Sequence, residues 1–212
     1  MTTYQLEEMF NLDVLNKVLV YIPVALGIGV SAHILYLKYR NWFEALILKK
    51  LIWFFLIFNI VFAVAQIYIQ YRVYAGDPFA RLMLPPYQSW RWFEQYSFFH
   101  FIAPFLAALG AGIFLYYIVI LINKYYKVVL SREEYLLLPL AALAVKWPNF
   151  ALYIILIFAL ALLSAIISAV RQKKLDANIS VSMENIMIAA MIITLLFGNE
   201  IGKYLKIYLL IV

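Results

Sequence analysis

FFHFIAPFLAALGAGIFLYYIVILI, residues 98–122, holds a single ionisable side chain apart from its two tyrosines, His100. At 1.5 Å rise per residue, a helix needs about 20 residues to cross a hydrocarbon core of about 30 Å, and this run exceeds that. Four more runs share its character, at residues 18–37, 51–71, 150–170 and about 179–197. The expected fold class is therefore all-α: a polytopic integral membrane helical bundle of about five transmembrane helices, forming a single transmembrane domain over residues 1–212.

Composition points the same way. Hydrophobic residues make up 67% and charged residues 13% of the chain, against about 45–50% and about 25% in soluble domains. The formal charge of +6 does not imply nucleic acid, because the lysines and arginines fall in short flanks between apolar runs rather than along one face. They read as topology signals and lipid-headgroup contacts, so the expected partners are the bilayer and other membrane subunits. Cysteine is absent, which excludes disulfides, thiol catalysis and any iron–sulfur cluster ligated by this chain.

The first residues carry Glu7, Glu8 and Asp13, where a secretory signal begins with positive charge. Leu6, Met9, Phe10 and Val14 recur at helical spacing, so residues 1–17 read as a short amphipathic helix on the membrane surface. Five crossings would put Lys17, Arg72, Arg81, Arg91, Arg171, Lys173 and Lys174 on one side. Lys38, Arg40, Lys49, Lys50, Lys124, Lys127, Arg132, Lys146, Lys203 and Lys206 would then lie on the other. The excess favours a cell-membrane protein with its N-terminus outside and its C-terminus inside.

Two regions interrupt the simple pattern. Ser131-Arg132-Glu133-Glu134 has the form of a capping box, and the apolar run behind it stops at Lys146-Trp147-Pro148-Asn149. Residues 132–145 are too few to span, so an interfacial or re-entrant helix is expected there. Gly198-Asn199-Glu200 breaks the last run, and the residues after it should continue the helix or lie along the interface. The 72–97 connection contains Gly76-Asp77-Pro78, Pro85-Pro86 and Trp90-Arg91-Trp92, which suit a lipid-anchored loop or, alternatively, a lid or docking surface over a membrane cavity.

Polar residues inside spans are the candidates for function. Asn59, Ala63, Gln66 and Gln70 share one face of the second span; the face suits helix contacts or a site for a polar ligand, quinone or ion. His33 and His100 are candidate haem or quinone contacts, with Arg91 and Glu94 close enough in sequence to cluster with His100. One iron bridged by both is disfavoured, because their positions in parallel spans differ in depth by about 22 Å. Small-residue stripes at Ala25 and Gly29, at Ala103, Ala107 and Gly110, and at Ala161, Ser164, Ala165 and Ser168 mark faces for close packing. Pro23 and Pro104 should kink their helices. Glu184 and Glu200 sit at the ends of the fifth span, where they cap helices or join a proton path, and Asn178-Ile179-Ser180 matches a glycosylation sequon.

Residues 15–120 bear a faint resemblance to the first three helices of cytochrome bd quinol oxidase subunits, through Gly27-Ile28-Gly29 and the run from Phe98 to Tyr117. The departures weigh more: the early first-helix histidine is missing, and His100 stands where a carboxylate is expected. Nucleophile elbows, zinc-protease motifs and phosphate loops are also absent. The expected function is accordingly a non-catalytic accessory or anchor subunit of a larger membrane complex, respiratory in type and bordering haem b or a quinone. The alternative is a small transporter or channel using the Asn59, Gln66 and Gln70 face.

Overall fold

The computed structural model describes residues 3–40, 42–125, 130–172 and 183–204. Five helices are long and apolar enough to cross a membrane, and no strand occurs among the described residues. Helix α1, Thr3–Tyr39, carries the expected surface segment straight into the first span through Pro23. Helix α2 is Ala45–Gly76. Helix α3, Trp90–Ser97, joins α4, Ala103–Tyr125, through a π turn at Phe98–Ile102. Pro104 accounts for that turn: it has no N–H for the His100 carbonyl, and the Ala103 N–H reaches back to Phe98 instead. Helices α5, Arg132–Val145, α6, Asn149–Gln172, and α7, Met183–Tyr204, complete the described chain. Gly198-Asn199-Glu200 lies within α7, while residues 205–212 and the sequon at 178–180 fall outside the described residues.

The outer surface is apolar. Trp53, Phe54, Ile57, Ile60, Val61 and Val64 on α2 and Phe158, Leu162 and Ile166 on α6 are exposed, which water would penalise and lipid does not. The core is built around α5. The capping box forms as expected: Ser131 Oγ accepts from the Glu134 N–H at 3.3 Å, and Glu134 Oε2 accepts from the Ser131 N–H at 2.6 Å. Every residue from Leu136 to Val145 is then buried. A helix apolar all round belongs in the middle of a bundle, and α1, α2, α4, α6 and α7 enclose this one. At Gly112 of α4 a Cβ would lie 2.7 Å from the Ala142 Cβ and 3.2 Å from the Pro139 Cα, so only glycine allows this approach.

Helix directions follow from paired contacts. A Cβ on Gly27 of α1 would meet Leu195 of α7, and further along α1 Lys38 forms an ion pair with Glu184, further back on α7; these two helices are antiparallel. Pro104, Gly112 and Tyr116 of α4 meet Trp147, Ala142 and Tyr135 in turn, so α4 and α5 are antiparallel too. Asn59 and Phe62 of α2 meet Leu143 and Lys146 in the same order, so α2 and α5 are parallel. Helix α5 therefore traverses the bundle between the long helices, over about 21 Å. The proximal end, where α1 begins, holds the ends of α2, α5 and α7 and the starts of α3 and α6. The distal end holds Lys38, Lys49, Lys124, Arg132 and Glu184. Among the described residues, the start of α1 and the end of α7 lie toward the same end of the bundle, whereas five traverses would put them at opposite ends. The short buried traverse reverses the parity, and the Lys38–Glu184 pair requires α7 to start where α1 ends.

Candidate functional site

Helix α5 ends in a joint, Lys146-Trp147-Pro148, from which α6 turns back. The joint is held on three sides. The Lys146 N–H donates to the Ala142 carbonyl at 3.0 Å, the Trp147 N–H donates to the Pro104 carbonyl at 3.0 Å, and the Lys146 carbonyl accepts from the Phe150 N–H at 2.7 Å. Asn59 fixes the end of α5 from α2: its Nδ2 donates to the Phe55 carbonyl at 2.8 Å and to the Leu143 carbonyl at 3.0 Å. That bond satisfies one of the carbonyls a helix end leaves without an intrahelical partner. Fixed in this way, Lys146 adopts φ 61° and ψ 169°. That region is essentially restricted to glycine, and a side chain there costs about 1–3 kcal/mol.

A cavity of about 200 Å³ opens at the joint, lined by Pro23 and Val24 of α1, Phe62 and Gln66 of α2, Ala144, Val145, Lys146 and Asn149, and Thr194, Leu195 and Asn199 of α7. Its polar groups come from four places in the sequence. Thr194 is buried and spends its hydroxyl on the Ala190 carbonyl at 2.7 Å, whereas Asn149 Nδ2 donates to Asn199 Oδ1 at 3.0 Å across α6 and α7. A Cβ on Gly198 would come within 3.1 Å of the Asn149 amide, so glycine there gives that amide its room. The Lys146 ammonium lies 5.2 Å from the centre of the Phe62 ring, and no carboxylate pairs with it among the described residues. Burial pushes Lys146, which lies outside the five spanning helices, down to about 8; at neutral pH it stays mostly charged. The negative end of α5 and the ring face offset part of the cost of that charge.

The residues singled out by sequence are dispersed. Asn59 is buried and ties helices together, with its Oδ1 lacking a partner among the described residues. Gln66 lines the cavity, and Gln70, a turn further along α2, does not. His33 is exposed on the distal half of α1, and His100 is exposed in the proximal π turn, stacked on Tyr96 at 4.1 Å between ring centres. Arg91 and Glu94 are exposed on α3, with no bond to His100 among the described residues. No cluster of three metal-ligating side chains occurs among the described residues. Sequence reasoning missed Lys146, Asn149, Thr194 and Asn199 as a site. The signal was the Lys146-Trp147-Pro148-Asn149 interruption between apolar runs, which reads as a break before it reads as a pocket lining. No known protein family, curated protein or solved structure matches the chain.

Proposed function

We propose that this multi-pass membrane protein is a small transporter or channel whose solute site is the cavity at the α5–α6 joint. The observation that carries the reading is the joint itself: an enclosed short helix stops beside a polar cavity and the chain turns back. Irregular backbone of this kind is tolerated among packed membrane helices where it lines a cavity. A volume of about 200 Å³ is below the roughly 300–1,000 Å³ of sites for drug-sized ligands, so the solute is small.

The test is solute entry into proteoliposomes of the purified chain, followed by light scattering over a panel of small ionic and neutral solutes. Entry above the rate of empty vesicles, reduced at least about tenfold in Gln66→Leu, is expected. Rates equal to those of empty vesicles for the whole panel would sink the reading.

A second reading, an accessory subunit of a larger membrane complex, has its own support. Ala25, Gly29, Ala32 and His33 are exposed on α1, and nothing lies within 4 Å of where a Gly29 Cβ would stand. Such a face suits a partner helix, and the respiratory form of this reading places haem b or a quinone beside His33 or His100. A haem band in a reduced-minus-oxidised spectrum, together with a particle far heavier than 24.7 kDa, would favour it over transport.

A further inference from the structure

We propose that the cavity at the joint takes a small oxyanion, a phosphate, sulfate or carboxylate group, on the Lys146 ammonium and the Gln66 amide. The inference rests on the solute-site reading above and names the solute's class. Three independent features carry it. The cavity lining includes one charged side chain, Lys146, and no carboxylate. Both donors are unspent: among the described residues, Lys146 makes only its ring contact with Phe62 and Gln66 makes no hydrogen bond. The nearest charged residues along α7, Glu200 and Lys203, pair with each other at 2.9 Å and leave the lysine alone. The third feature is the backbone. Lys146 occupies a conformation that glycine would adopt without strain, so the fold on its own account calls for glycine, and the side chain is kept against that preference. A lysine and a glutamine lining one small cavity, each with an unspent donor, match an oxyanion, whose oxygens accept from both. A cation would meet repulsion from the lysine, and a neutral solute would leave its charge uncompensated.

One ligand chemistry has two sources here, a free anion from solution or the phosphate of a lipid entering from the side. The experiment is thermal denaturation of the full chain, followed by tryptophan fluorescence, in detergent with sodium sulfate or sodium phosphate against sodium chloride at matched ionic strength. It is repeated in nanodiscs of phosphatidylcholine with and without phosphatidylglycerol. For a free oxyanion, sulfate and phosphate raise the melting temperature of the wild type. The apparent affinity falls at least about tenfold in Lys146→Gln and in Lys146→Gly, and Lys146→Arg retains it. For a lipid headgroup, the free anions do nothing, and phosphatidylglycerol raises the melting temperature in the wild type and not in Lys146→Gly. Lys146→Gly serves as the folded control, because it relieves the backbone. Equal protection of wild type and Lys146→Gly by every probe, or no protection by any, overturns the proposal. If anions fail and glycerol or choline enters proteoliposomes in a Gln66-dependent way, the oxyanion is wrong and the solute site stands. If nothing enters and nothing protects, both fall.

Discussion

Lys146 sets the terms at the residue scale. Its positive φ is imposed by three hydrogen bonds on the joint, and a β-carbon makes that conformation costly. Lys146→Gly should therefore be more stable than Lys146→Ala by about 1 kcal/mol and melt at a higher temperature, the strain relief being partly offset by the larger entropy of unfolded glycine. Equal melting temperatures would remove the strain argument. The lysine also sets a pH dependence. Its ammonium, pushed down to about 8 by burial, is the form that holds an anion, and no other titratable side chain lines the cavity. Sulfate protection should be full near pH 6.5 and fade as pH rises through about 8; protection unchanged at pH 9.5 would argue against the lysine. Asn59 is a structural counterpart. Asn59→Leu leaves the buried Leu143 carbonyl without its donor, at a cost of about 1–3 kcal/mol.

At the scale of elements, α5 shows how capping and composition cooperate. Ser131 and Glu134 start the helix, and ten apolar residues behind them have no polar face to turn outward, so the other helices cover it. Two glycines on different helices should respond in opposite ways. Gly112→Leu drives a side chain into Ala142 and Pro139 of α5 and should destabilise by about 3 kcal/mol or more, because the obstacle includes backbone. Gly29→Leu enters open space and should leave the melting temperature of the isolated chain unchanged, while abolishing association with any partner helix seated on that face. Similar losses in the two variants would mean that the α4–α5 approach is looser than it stands.

For the whole molecule, the consequence of α5 is topological. The structure puts Gln88 and Tyr204 at the proximal end and Trp42 at the distal end, whereas a chain of five crossings without α5 would group Tyr204 with Trp42. Because the protein has no cysteine, single Gln88→Cys, Tyr204→Cys and Trp42→Cys variants give a clean reading with a membrane-impermeant thiol reagent. Labelling of Gln88→Cys and Tyr204→Cys from one side, and of Trp42→Cys only from the other, is the expected result. Tyr204→Cys behaving like Trp42→Cys would overturn this arrangement of α5, α6 and α7.

Sequence by itself determined the membrane class, the five long helices, the capping box at Ser131 and the break at Lys146-Trp147-Pro148-Asn149. Each rests on local chemistry: apolar length against bilayer thickness, side-chain capping, and a proline that cannot continue a ladder. Asn59 and Gln66 were legible as one polar face, and their separate fates were not. One ties α5 to α2 and the other opens on a cavity, because their roles depend on what α5 puts beside them. Tertiary structure alone decided that residues 132–145 traverse the bundle. The length rule holds for helices that meet lipid; a helix enclosed by protein on every side escapes it, and 14 residues suffice. It also decided which polar residues line one cavity, since Gln66, Lys146, Asn149 and Asn199 share no sequence spacing and meet only because α1, α2 and α7 pack around the joint between α5 and α6.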